Sequence, residues 1–166
     1  IPALFNCAGT PHQEQSVAAN IDTINLDNSL CLKEYVVDYL GMPTLYHSVF
    51  ERPLMKNFLE AIPGLGEAML LGRLVHTCET GPYDCIIYDS PASGHFLTLM
   101  TTLEAILNSA LVGPLLNEVK KIYDFLLKPR NAGIVLTTLL RELVIGETFE
   151  FWGHLAKHSP VAINCL

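Results

Sequence analysis

The densest set of groups able to do chemistry is Asp89-Ser90-Pro91-Ala92-Ser93-Gly94-His95. It follows the apolar run Tyr83-Asp84-Cys85-Ile86-Ile87-Tyr88, which Gly81-Pro82 precedes, and that run reads as a buried, parallel strand. In open α/β sheets the ligand crevice lies outside the carboxyl ends of the strands. An acid leaving a strand there can accept a hydrogen bond from a Mg²⁺-bound water, and Gly94 lets a backbone N–H approach a phosphate with no Cβ in the way. From the residues alone a second reading is equally open: Asp89 ends a strand and caps a helix that begins near Gly94.

Other constellations are thinner. Ser93 and His95 beside Asp89 suggest a hydrolase, yet there is no G-x-S-x-G elbow, and neighbours in sequence rarely form a triad in space. His154 and His158 are four apart and share a helix face. The Glu of H-E-x-x-H is missing, so they read either as metal ligands or as ordinary surface histidines. Met42, Met55, Met69 and Met100 lie on apolar helix faces that either line a groove for a hydrophobic client or form plain core. The five cysteines include no C-x-x-C pair, which points to reduced thiols in a cytoplasmic protein rather than to a disulfide framework or zinc knuckle.

The elements that must position these residues follow from periodicity. Residues 21–27 alternate as a strand, and the rest of the first 28 residues reads as loop. Asn28 or Ser29 caps a helix through Leu32, Tyr35, Val36 and Leu40, which Gly41 stops. Pro53 starts another through Leu54, Phe58 and Leu59, and after Pro63-Gly64 a third carries Met69, Leu70, Leu74 and Val75. Residues 29–80 are thus mainly helical. A long helical region follows over about 96–127, broken at Gly113-Pro114. Residues 133–138 read as a second buried strand, about 147–157 as a helix and 161–164 as a third strand. This order predicts an α/β fold with a mostly parallel sheet flanked by helices and a helical insertion before the strand that ends at Asp89. It also predicts that Asp89, Thr138 and Asn164 border one crevice, and that residues 85–89 are paired on both sides, since so apolar a run makes a poor open edge.

A chain of 166 residues fits one domain, 1–166. Its net charge of -7 argues against nucleic acid as a partner, because that affinity comes from clustered Lys and Arg. No apolar stretch reaches the roughly 20 residues of a membrane-spanning helix. Ile1-Pro2 in place of an initiator Met leads us to expect that a further segment precedes it.

The segment 83–95 resembles the switch II region of ArsA-type ATPases, whose pattern is Y-D, an aliphatic run, then D-x-P-[AT]-[TS]-G-H. The resemblance continues in order through Pro63-Gly64-Leu65-Gly66-Glu67-Ala68-Met69, Val112-Gly113-Pro114-Leu115, Val135-Leu136-Thr137-Thr138, Glu147-Thr148 and Val161-Ala162-Ile163-Asn164. It implies a P-loop NTPase-like fold, with this chain the C-terminal part of an ArsA-type domain, and ATP and Mg²⁺ as cofactors. It further implies Asp89 as a catalytic residue that holds the Mg²⁺ shell through water, Gly94 and His95 in the loop that senses the γ-phosphate, and Asn164 against the adenine. ATP-driven closure of a homodimer, or of a heterodimer with a related ATPase, is implied, as is a membrane transporter subunit or hydrophobic protein client as partner. Two departures stand out. None of the 11 glycines is followed by Lys, so the phosphate loop G-x-x-x-x-G-K-[ST] is not among these residues. Where the family reads close to T-x-P-E-E-x-P, this chain has Thr138-Leu139-Leu140-Arg141-Glu142-Leu143-Val144. An ATPase-like binding or regulatory subunit without hydrolysis is therefore the alternative reading.

Overall fold

Asp27 and Gly41 bound the first helix. The computed structural model describes residues 10–39, 41–42, 44, 52–53, 64–90, 93–108, 113–159 and 161–165. They fall into two compact units, Ile1–Glu60 and Ala61–Leu166. In the first, the Asp27 carboxylate accepts from Ser29 N at 3.0 Å and Leu30 N at 3.1 Å, satisfying two of the donors that α1 (Asn28–Glu34) leaves without an intrahelical partner. The cap is thus Asp27 rather than Asn28 or Ser29, because its extended backbone (φ −116°, ψ 131°) swings the carboxylate over the amides of Ser29 and Leu30. The winding then loosens into a π-helical segment, Tyr35–Tyr39. Gly41 takes φ +62°, the left-handed conformation of a glycine helix stop, and Met42 N donates back to Val36 O at 3.2 Å, one residue wider than a six-to-one closure because the preceding turn is π-helical.

Before α1, β1 (Gln15–Ala18) and β2 (Ile21–Thr23) form an antiparallel hairpin, Gln15 opposite Thr23 and Ala18 opposite Ile21. The turn passes through Asn20 at φ +62°, a conformation Asn tolerates better than most side chains. Residues 15–18 were expected as loop and 21–27 as one strand. Gln-Ser-Val-Ala carries little apolar alternation, so its strand state comes from the cross-strand ladder rather than from its own pattern. The helix expected from Pro53 through Leu54, Phe58 and Leu59 falls, beyond Pro53, outside the described residues.

The second unit is built on four helices, α2 (Leu65–Thr80), α3 (Ser93–Leu107), α4 (Pro114–Leu126) and α5 (Glu142–His158). Buried positions recur at helical spacing: Leu65, Ala68, Met69, Gly72 and Val75 on α2, Leu99, Leu103 and Ile106 on α3, and Val119, Ile122 and Leu126 on α4. These stripes meet pairwise among α2, α3 and α4, while α5 packs on α3. Gly72 permits the approach of α4, since a Cβ there would lie 3.2 Å from Glu118 Oε1 and 3.4 Å from Ile122 Cδ1. Met69 and Met100 are 2% and 1% exposed, so both belong to the core and line no groove. Gly113-Pro114 separates α3 from α4 as expected, with Pro114 in the first helical turn, where its missing N–H costs nothing.

Two short strands, β3 (Ile134–Val135) and β4 (Ile163–Cys165), pair in parallel on either side of α5, and Ile134 N donates to Ala162 O at 2.9 Å. The architecture is a helix-rich α/β one with a small antiparallel sheet and this parallel pair. Residues 85–89, expected as a buried strand paired on both sides, form no strand: Cys85, Ile87 and Asp89 are exposed, and Ile87 is 88% accessible. An apolar run becomes a strand through its ladder, and no described strand lies alongside this one. No described helix is long and apolar enough to cross a membrane.

Candidate functional site

Asp89 sits in the irregular segment between α2 and α3, its side chain open to solvent. Gly94 and His95 lie in the first turn of α3, both exposed. Nothing comes within 4 Å of the place a Cβ on Gly94 would occupy, and the Gly94 carbonyl accepts from Thr98 Oγ1 at 3.0 Å. The first amides of a helix lack intrahelical acceptors and stand at the positive end of its dipole. The buried stripe of α3 anchors that end, so the open glycine rides on a packed element. Pro91 and Ala92, in the middle of the motif, fall outside the described residues.

Thr138 and Asn164 belong to the parallel pair. Because β3 and β4 run the same way, the residue that ends one and the loop that leaves the other emerge at the same end. Thr138 Oγ1 is 2.8 Å from Thr148 Oγ1, and Thr148 Oγ1 donates to Val144 O at 2.7 Å. The Thr148 proton is thereby committed, so Thr138 donates and keeps its lone pairs. This chain of bonds ties the loop after β3 to α5. Asn164 lies within β4.

The rival constellations resolve differently. No hydrogen bond joins Asp89, Ser93 and His95. His154 and His158 do lie side by side, ring centroids 6.5 Å apart. Cys78, at the end of α2, has its thiol pushed up from the ordinary value, first by burial and then by Cys85 and Glu79. Spacing gave no hint of a cluster in the first unit. His12, at φ +57°, donates from Nε2 to the Asp27 carbonyl at 3.0 Å, with Cys31 Sγ at 3.7 Å from Nε2 and Glu34 Oε1 at 3.4 Å from Nδ1. These contacts pin the loop before β1 to the start of α1. The same helix start holds the Asp27 carboxyl below its usual range, chiefly through the Ser29 hydroxyl and then the Leu30 N–H.

Whether these residues suit Mg²⁺ and ATP can be tested on the donors present. In kind they do: a carboxylate for a hard cation, an unobstructed glycine at a helix start for a phosphate oxygen. In number they do not complete a site, because Mg²⁺ requires near-octahedral oxygen ligation and no group of three or more His, Cys, Asp or Glu among the described residues is placed to hold a metal ion. They form one wall.

An acid and then an open glycine lead into a packed helix here, and a parallel strand pair follows later in the chain; in open α/β folds, ligands bind at such strand ends and helix starts. Comparison with known proteins narrows this. Residues 4–144 match the ArsA_ATPase family, described as anion-transporting ATPase, and since that is most of the chain, the protein belongs to this family. The match includes Asp89, Gly94 and His95 and ends before Asn164. The ATPase BagA of Mycobacterium tuberculosis is 23% identical over 168 residues, covering 95% of this chain and 49% of the relative. The ATPase get3 of Schizosaccharomyces pombe is 30% identical over 77 residues, covering 42% and 23%. The ATPase ASNA1 homolog 2 of Paramecium tetraurelia is 32% identical over 66 residues, covering 38% and 20%. This chain spans about half the length of the mycobacterial relative.

Proposed function

We propose that the whole protein is a Mg²⁺-dependent ATP-hydrolysing protein of the anion-transporting ATPase type, and that this chain supplies the switch II half of one P-loop NTPase-like domain with a mostly parallel sheet. The reading is carried by the family match across residues 89–95 together with the open glycine at the start of α3. In it, Asp89 accepts a hydrogen bond from a water in the Mg²⁺ shell. The Gly94 N–H donates to a phosphate oxygen, and His95 moves with that turn. Asn164 pairs with the base through an amide that both donates and accepts. Thr138, oriented by Thr148, borders the same crevice. Bound Mg²⁺ would supply charge neutralisation at the transferring phosphoryl group. Closure of a homodimer or of a heterodimer with a related ATPase, a cytoplasmic location, and a transporter subunit or hydrophobic protein client as partner belong to the same proposal.

The second reading, a subunit that binds without hydrolysing, is favoured by one observation: the chain has Thr138-Leu139-Leu140-Arg141-Glu142-Leu143-Val144 where the family reads close to T-x-P-E-E-x-P. Steady-state phosphate release from the intact gene product separates the two. The enzyme reading expects Mg²⁺-dependent turnover that Asp89→Asn lowers by roughly 10²–10³-fold. Turnover that survives the substitution within tenfold removes Asp89 from the site, and no turnover by the unsubstituted protein selects the binding subunit.

A further inference from the structure

α5 has one face turned inward, along Val144, Thr148, Phe151 and Leu155, and a charged face turned to solvent. His154 and His158 lie on the solvent face, one helical turn apart, both exposed. Their rings are stacked, with centroids 6.5 Å apart and planes 24° from parallel. Neither ring makes a hydrogen bond or ion pair with any described residue, so all four nitrogens are uncommitted. His158 is the last residue of α5, where the negative end of the helix dipole favours a cation. Glu150 stands one turn before His154 on the same face and adds a negative charge, while Lys157, about 100° round the helix from His158, is the one cationic side chain in the last turn that opposes it.

We propose that His154 and His158 form a bidentate site for a late first-row divalent transition-metal ion, Cu²⁺ most tightly and Ni²⁺ and Zn²⁺ less so, with water completing the coordination. Imidazole pairs suit these ions and discriminate against Mg²⁺, so the site is chemically distinct from the nucleotide wall at Asp89 and Gly94 and does not depend on that reading. Exposed rings reach a shared ion by side-chain rotation alone, with no backbone movement. Once the first imidazole is bound, the second is intramolecular, which makes the pair tighter than either ring by itself. The ion would clip the last turn of α5, the turn from which the chain runs on into β4 and Asn164.

Trp152 is the single tryptophan and lies two residues from His154, so it reports on the site directly. The full chain is titrated with CuCl₂, NiCl₂, ZnCl₂ and MgCl₂, following Trp152 fluorescence for the paramagnetic ions and calorimetry for all four. One equivalent of Cu²⁺ is expected to saturate the quenching and Mg²⁺ to do nothing. His154→Gln and His158→Gln are each expected to weaken Cu²⁺ binding by roughly tenfold or more. Both sites are exposed, so circular dichroism should be unchanged. Adding Gly153→His to His154→Gln restores two histidines at a spacing of five, which are not on one face, and should not restore affinity. The proposal is overturned if the double variant His154→Gln/His158→Gln binds Cu²⁺ as well as the unsubstituted chain, or if the spacing-of-five variant recovers full affinity. Four other histidines in the chain make either result readable as binding elsewhere.

Discussion

Gly64→Ala should destabilise the second unit through two separable terms. The residue precedes α2 at φ +78°, ψ −4°, and the left-handed conformation costs an L side chain about 1–2 kcal/mol. A Cβ there would also lie 2.7 Å from Thr102 Oγ1, 2.8 Å from Thr102 Cβ and 3.0 Å from Thr102 Cγ2, against an ordinary carbon separation of about 3.5–4.0 Å. Because the crowding atoms include the Cβ of a residue within α3, rotamer change alone cannot relieve them. Overpacking of this kind costs about 1–3 kcal/mol. Reduced freedom of the unfolded chain returns about 0.4–1 kcal/mol, leaving a net loss of about 1–5 kcal/mol. Thr102→Gly removes all three crowding atoms, so in that background Gly64→Ala should retain only the conformational term. Urea unfolding of the four proteins, followed by circular dichroism and Trp152 fluorescence, gives the coupling, expected at about 1–3 kcal/mol with an unchanged m-value. A coupling near zero, or a single substitution costing under about 1 kcal/mol in both backgrounds, would refute the close approach of Gly64 to α3.

Asp27→Ala should cost about 0.5–2 kcal/mol, toward the lower end because the cap is exposed. The Asp27 carboxyl is depressed in the folded state, so its contribution is complete above the unfolded value of about 3.9 and is lost as pH falls through the folded value; the stability gap between the two proteins should be constant above the unfolded value and narrow as the pH is taken progressively below it. A gap that does not narrow on acidification would show that the carboxylate is not the cap. Cys78, raised by burial and by its neighbours Cys85 and Glu79, should alkylate with iodoacetamide along a pH profile displaced above that of a free-cysteine peptide, read by peptide mass; a superimposable profile would contradict that environment.

The helices were legible because their code is local. α2 and α3 repeat apolar residues at three and four, and Gly113-Pro114 separates α3 from α4 where the two breakers stand. Gly41 stops the first helical run as its type demands, and the cap moved only from Asn28 or Ser29 to the neighbouring Asp27. Strands were less legible because their code is shared between segments. Residues 15–18 have almost no alternation and are a strand since residues 21–23 face them, whereas residues 85–89 have the apolar character of a strand and are not one. The His12, Asp27, Cys31 and Glu34 cluster spans more than twenty residues of sequence with no spacing rule to announce it.

The same distinction divides the candidate site. Gly94 and His95 belong to a helix whose Leu99, Met100 and Leu103 are 0–1% exposed, so their backbone is fixed by packing that residues 93–107 and their helical neighbours provide among themselves. Asp89, five residues earlier, lies in an irregular, exposed segment that no described strand pairs with. A motif continuous in sequence thus divides between a packed helix and an irregular segment. This explains why the resemblance to the family could be read from residues 89–95 as letters while their geometry was only half foreseeable. A carboxylate is useful to a hard cation only when held to within a fraction of an ångström, and the residue type at position 89 says nothing about what holds it. Helix α3 fixes the turn that carries Gly94 and His95, whereas residues 85–89 lie exposed with no described strand paired to them.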